Sequence, residues 1–115
     1  MILDIEILKE VIEAIGAETS QMVIKMFQEQ SPILVAGAMN GNTPTTDRAE
    51  ALHALKGMAE QLGLKHLSRN CVVAEEALLN AAPAETVLGL VRDVEDCLAT
   101  SQSEIIKYAS QLIDI

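Results

Sequence analysis

Apolar residues recur along the chain at spacings of three and four, and no stretch of strand length alternates strictly between apolar and polar. The pattern therefore predicts helices throughout. Leu3, Leu8, Ile12 and Ile15 mark a short first helix that Gly16 can stop. Val23, Met26, Phe27, Leu34 and Ala38 mark a second, from about Glu18 to Met39. Ser31-Pro32 lies inside it, so a kink or break is expected there. The run from Asn40 to Thr46 reads as a loop, with Thr43 as N-cap and Pro44 as the first residue of a third helix. That helix runs to about Leu62, and Gly63 ends it. Leu64, Leu67, Cys71, Ala74 and Leu78 form the stripe of a fourth helix that stops near Asn80. Pro83 opens the last one, which carries Val87, Leu90, Val94, Cys97 and Ile105 and continues to Tyr108 or beyond. Five helices with short connections fit an all-α fold: an antiparallel up-down four-helix bundle with an additional short N-terminal helix.

Composition narrows this further. The 115 residues suit a single domain spanning 1–115, able to bury a core without disulfides or metal. Phe27 and Tyr108 are the only aromatic residues, so aliphatic side chains and methionine must fill that core. A net charge of −9 argues against nucleic acid or an anionic membrane surface as partner. No apolar run is long enough to span a bilayer. The N-terminus places acids where a signal peptide needs a basic stretch. Two cysteines, Cys71 and Cys97, are too few for a disulfide framework, and both fall on apolar stripes as small core residues. The expected compartment is the cytoplasm.

The third helix carries the chemistry. Leu52, Leu55, Ala59 and Leu62 make one apolar face that should point into the core. His53, Lys56, Gly57 and Glu60 follow at offsets of 3, 4 and 7 from the histidine and share the opposite face. Glycine in an exposed helix interior costs about 1 kcal/mol relative to alanine. Such a position makes sense where another molecule must approach the backbone closely. An imidazole, an ammonium one turn away and bare backbone describe a place where a phosphoryl group on the ring could be screened while a second protein docks.

The segment H-A-L-K-G-M-A-E-Q-L-G, His53 to Gly63, resembles the signature of histidine-containing phosphotransfer domains, the carriers of multistep phosphorelays. The resemblance extends over the chain in length and helix order, and its specific part is His53, Leu55, Lys56, Gly57, Ala59 and Gly63. It implies a four-helix bundle with a capping helix and His53 as phosphoacceptor on an exposed face. It also implies that Lys56 offsets phosphoryl charge and that Gly57 leaves room for the partner. Relatives commonly carry an acid or amide on the following helix that hydrogen-bonds the other ring nitrogen. With that helix running back antiparallel, the position falls on Glu75, or on Glu76 if the register differs by one. The implied partner is the receiver domain of a response regulator or hybrid histidine kinase, which brings Mg²⁺ and the aspartyl phosphate. This chain would then need no cofactor and no metal of its own, and would act as a monomer. No glycine-rich phosphate loop is present, so neither ATP binding nor self-phosphorylation is expected. Met58 and Glu60 depart from the family pattern; Met58 would enlarge the docking surface, and Glu60 puts a negative charge on the reactive strip. Exposed members of Leu8, Val11 and Ile12 would extend that surface.

Two other readings compete. Glu50 and His53 form a Glu-x-x-His step of the kind used in di-iron bundles, but the only other histidine, His66, has Gly63 three residues before it. His66 reads as a surface residue near a helix start. The stronger alternative is an adaptor bundle that binds a signalling partner through the same face and transfers nothing.

Overall fold

The computed structural model describes residues 2–113; positions 1, 114 and 115 of the expected domain lie outside them. The described residues are helical with no strand, in the order α1 (Ile5–Ile15), α2 (Ala17–Met39), α3 (Thr45–Gln61), α4 (Lys65–Leu79) and α5 (Ala84–Ile113). Neighbours pack around a ring: α2 on α3, α3 on α4, α4 on α5, and α5 back on α2. The diagonal pairs α2–α4 and α3–α5 do not come together. The 30 residues of α5 span about 45 Å at helical rise, which matches the 45 Å long axis of the molecule. With 17 and 15 residues, α3 and α4 are too short to cover that length. The short α1 packs on α2, α5 and α3 and buries Leu8 in the core.

The core is one cluster. Leu52, Leu55, Ala59 and Leu62 of the third helical segment are all buried, as are Leu64, Leu67, Cys71, Ala74 and Leu78 on the return. Full burial of each leucine contributes about 2 kcal/mol. This fixes the rotation of α3 and so sends His53, Gly57 and Glu60 outward.

Several expectations need correction. The second helix does not break at Pro32: α2 is continuous over 23 residues, with the exposed proline inside it. Phe27, Ser31 and Val35 are buried on either side and hold both halves of α2 against the same core. Thr43 is not the N-cap of α3. Pro44 takes that place without a side-chain cap, and the helix starts at Thr45. Met26 and Ile15, which mark the apolar periodicity of their helices, are nonetheless 49% and 41% exposed. The buried line of α2 is instead Ser20, Ile24, Phe27, Ser31, Val35 and Ala38. Its serines are tolerated inside because each hydroxyl has a partner. Ser20 Oγ donates to Gly16 O at 2.7 Å, and Ser31 Oγ donates to Phe27 O while accepting from Gln102 Nε2 at 3.1 Å.

The two turns flanking α4 close the same way. After Leu62, Gly63 N donates to Glu60 O and Leu64 N to Ala59 O, with Gly63 left-handed at φ +79°. After Asn80, Ala81 N donates to Leu78 O and Ala82 N to Ala77 O, with Ala81 at φ +56°. Among the described residues Ala81 is the only non-glycine with positive φ. Asp4 caps α1, its carboxylate accepting from the backbone of Glu6 and Ile7.

Candidate functional site

Two cross-helix contacts set the register of α3 against α4. His53 Nδ1 lies 3.3 Å from Glu75 Oε1, and Ser68 Oγ donates to Glu60 Oε1 at 3.2 Å. Moving seven residues up α3 moves seven residues down α4, the mark of antiparallel neighbours. The tight turn at Gly63 makes this possible. Glu75, rather than Glu76, therefore faces the imidazole.

The His53 side chain is 68% exposed, whereas that of Glu75 is 19% exposed. Glu75 is thus a partly buried carboxylate aimed at an open ring. The 3.3 Å separation is just beyond a good N–H···O hydrogen bond. No described residue engages Nε2, the nitrogen on the other side of the ring. Glu50, Ala54 and Leu79 line an open depression of about 390 Å³ beside the pair. Four residues further along, Gly57 is exposed, and a Cβ built on it would meet nothing within 4 Å. Nothing within the fold demands glycine at this position.

The Lys56 ammonium lies 3.9 Å from Glu60 Oε1, on the side of Lys56 away from His53. Such an i,i+4 pair contributes only about 0.3–0.5 kcal/mol, and lysine preceding glutamate is the weaker orientation. The side chain is nonetheless only 28% exposed, its stem lying along the helix surface. Glu60, expected as a negative charge on the strip, is shared between Lys56 and Ser68. Met58 is half-buried and packs against the core. Leu8 is fully buried and cannot take part in docking. Val11 is half-buried and lines, with Ile15, Val23 and Leu62, an apolar cavity of about 550 Å³ at the α1 end; Ile12 is half-buried against the core. His66 sits half-buried in the first turn of α4.

Sequence reasoning missed Ser68 and Asp4. Ser68 carries no pattern signal, because its role depends on the α3–α4 register. Asp4 immediately precedes the first apolar run, a cap signal that was available. Asp4 also pairs with Lys65 at 3.0 Å, and the Lys65 ammonium holds its carboxyl below the usual carboxylate range. Cys71 lies buried beneath the site. Burial, with smaller contributions from Cys97 and Glu75, pushes its thiol up to about 12. Among the described residues no group of three or more His, Cys, Asp or Glu side chains could hold a metal ion. No described helix is long and apolar enough to cross a membrane.

Comparison of the chain with protein-family models, curated proteins and solved structures finds no match.

Proposed function

We propose that this chain is a phosphorelay carrier, in which His53 reversibly takes a phosphoryl group from, and returns it to, the aspartate of a receiver domain. The observation that carries the reading is the pairing of a solvent-facing His53 with a partly buried Glu75 through Nδ1, one turn from the bare backbone of Gly57. A proton on Nδ1, facing Glu75, leaves the Nε2 lone pair as the nucleophile. Nε2 bonds to phosphorus, the bond from phosphorus to the receiver's aspartate oxygen breaks, and the carboxylate leaves. The ring keeps its Nδ1 proton, and the positive charge it gains lies against Glu75. The reverse step uses the same atoms. Phosphoryl transfer asks a protein chiefly for in-line positioning and charge stabilisation, and an exposed ring on a rigid helix provides the former. Lys56 supplies part of the latter, and Mg²⁺ belongs to the receiver.

On this reading the ring of α2 to α5 is the antiparallel up-down bundle, with α1 as its additional short helix, and the protein works as a cytoplasmic monomer. The partner is the receiver of a response regulator or hybrid kinase. The docking face centres on His53 and Gly57, with Val11 and Ile12 toward its α1 end. The second reading, an adaptor that binds through this face without transfer, is favoured by one observation: Lys56 pairs with Glu60 and not with the imidazole side of the strip.

Incubation with a panel of phosphorylated receiver domains separates the two. The carrier reading expects acid-labile, base-stable phosphate on the wild type and none on His53→Gln. Equal labelling of the two proteins overturns the site, and receiver binding without any label establishes the adaptor.

A further inference from the structure

We propose that Glu60 is a latch on Lys56: it parks the ammonium away from His53, so that a phosphoryl group on the ring must compete for it, and phosphohistidine is thereby kept short-lived. This rests on the carrier reading and adds the regulation of that site. Lys56 stands one turn from His53 and one turn from Glu60 on the same strip. In the unphosphorylated chain its ammonium is 3.9 Å from Glu60. The comparison with Lys25 is instructive. Lys25 makes the same i,i+4 contact with Glu29 at 4.0 Å, yet its side chain is 75% exposed against 28% for Lys56. Lys56 is laid down on the surface; Lys25 stands in solvent.

Glu60 does not simply follow the lysine. Ser68 on α4 donates to the same oxygen that Lys56 approaches, which ties the carboxylate to the neighbouring helix. Ile7, Lys65 and Arg69 join Glu60 and Ser68 around one shallow depression, and Lys65 is itself committed to Asp4. The strip therefore offers the Lys56 ammonium one anion at rest, hydrogen-bonded to α4, and a second when His53 is phosphorylated. The phosphoryl group carries more charge than a carboxylate and draws the ammonium across, but the anchored Glu60 keeps pulling back. A tighter hold on the phosphoryl group would slow its onward donation; the latch favours release.

Phosphoramidate tests this without a protein partner. The His53 nitrogen displaces ammonia at phosphorus, and the phosphohistidine is followed by ³¹P NMR as it hydrolyses. Glu60→Gln keeps the side-chain length and an acceptor for Ser68 but removes the charge. Its phosphohistidine should last roughly twofold longer, the scale of one exposed i,i+4 ion pair. In a Lys56→Ala background Glu60→Gln should change nothing. An unchanged lifetime overturns the latch, and so does an equal lengthening in both backgrounds, which would make Glu60 act by its own charge. A second measurement needs no phosphate: acylation of Lys56 by an amine-reactive ester, read by mass spectrometry, should be faster in Glu60→Gln. An unchanged rate overturns the latch. If Lys56 is released as expected but wild type accepts phosphate from neither phosphoramidate nor any receiver, the carrier reading fails, and with it the effect on phosphohistidine.

Discussion

Gly63 lies directly beneath Asp4: its carbonyl accepts from Asp4 N at 2.8 Å, and a Cβ on it would stand 2.7 Å from Asp4 O. The α3–α4 turn and the start of α1 are thus pressed backbone to backbone. Two demands coincide at this glycine, the left-handed φ of +79° and the absence of a side chain. Gly63→Ala should destabilise the protein by about 2–3 kcal/mol, from backbone strain of about 1–2 kcal/mol plus displacement of α1. Urea unfolding measures this, and a loss below about 0.5 kcal/mol would show that α1 moves aside freely.

Gly57 is the opposite case. It sits in the interior of α3 with open space around it. Gly57→Ala should therefore stabilise the fold by up to about 1 kcal/mol. If the bare backbone serves docking, the same substitution should slow phosphoryl transfer from a receiver. A more stable protein with unchanged transfer would remove Gly57 from the docking face.

The contrast between these glycines bears on how much the sequence reveals. Both belong to the motif that resembles phosphotransfer domains, yet the fold explains only Gly63. The two faces of α3 are legible because Leu52, Leu55, Ala59 and Leu62 leave no gap in the period. The core faces of α2 and α5 are less so, because Ser20, Ser31 and Ser101 hold buried positions that a hydrophobic pattern passes over. The hydroxyls of Ser20 and Ser31 satisfy themselves on a carbonyl one turn back, which costs the helix nothing visible in the sequence. Glu75 was reachable only together with Glu76: the resemblance implies an acid on the following helix, and the contact with His53 in the structure decides between the two. The Lys56–Glu60 spacing was also visible, but the anchor on Ser68 appears only once the register of α4 is known.

Ala81 occupies the place in the α4–α5 turn that Gly63 occupies in the α3–α4 turn, at φ +56°. An L-residue there is strained by about 1 kcal/mol, and glycine relieves most of this despite its greater freedom when unfolded. Ala81→Gly should raise stability by about 0.5 kcal/mol in chemical denaturation. A loss of stability would mean that the turn relaxes to a conformation alanine prefers.

Asp4 gives the fold a pH dependence. The hydrogen bond and charge of Lys65 lower its carboxyl pKa, with the backbone of Ile7 and Glu6 adding to this. A carboxyl depressed on folding stabilises the native state above its unfolded pKa, and that contribution is lost as pH falls through the folded value. Asp4→Asn keeps a capping oxygen but not the charge. The stability gap between wild type and Asp4→Asn should be full at neutral pH, shrink below the ordinary aspartate range and close in stronger acid. A gap independent of pH would assign the whole effect of Asp4 to capping and none to Lys65.

The two thiols should separate cleanly by reactivity. The thiolate is the species that alkylates, and burial among apolar neighbours pushes the Cys71 thiol up to about 12. At pH 8 Cys71 is therefore protonated as well as enclosed. Cys97 is half-exposed on α5, with Sγ 3.8 Å from Ser101 Oγ. Iodoacetamide at pH 8 should modify Cys97 alone in the folded protein and both residues in urea, as read by peptide mass spectrometry. The rate at Cys71 then reports opening of α4 against the core, the same packing that holds Glu75 in register with His53. Gly63→Ala, which disturbs the adjacent turn, should raise that rate, while Gly57→Ala should leave it unchanged or lower it. Rapid modification of Cys71 in the native wild type would show that α4 is loosely held, and the His53–Glu75 contact could not then be a fixed feature of the site.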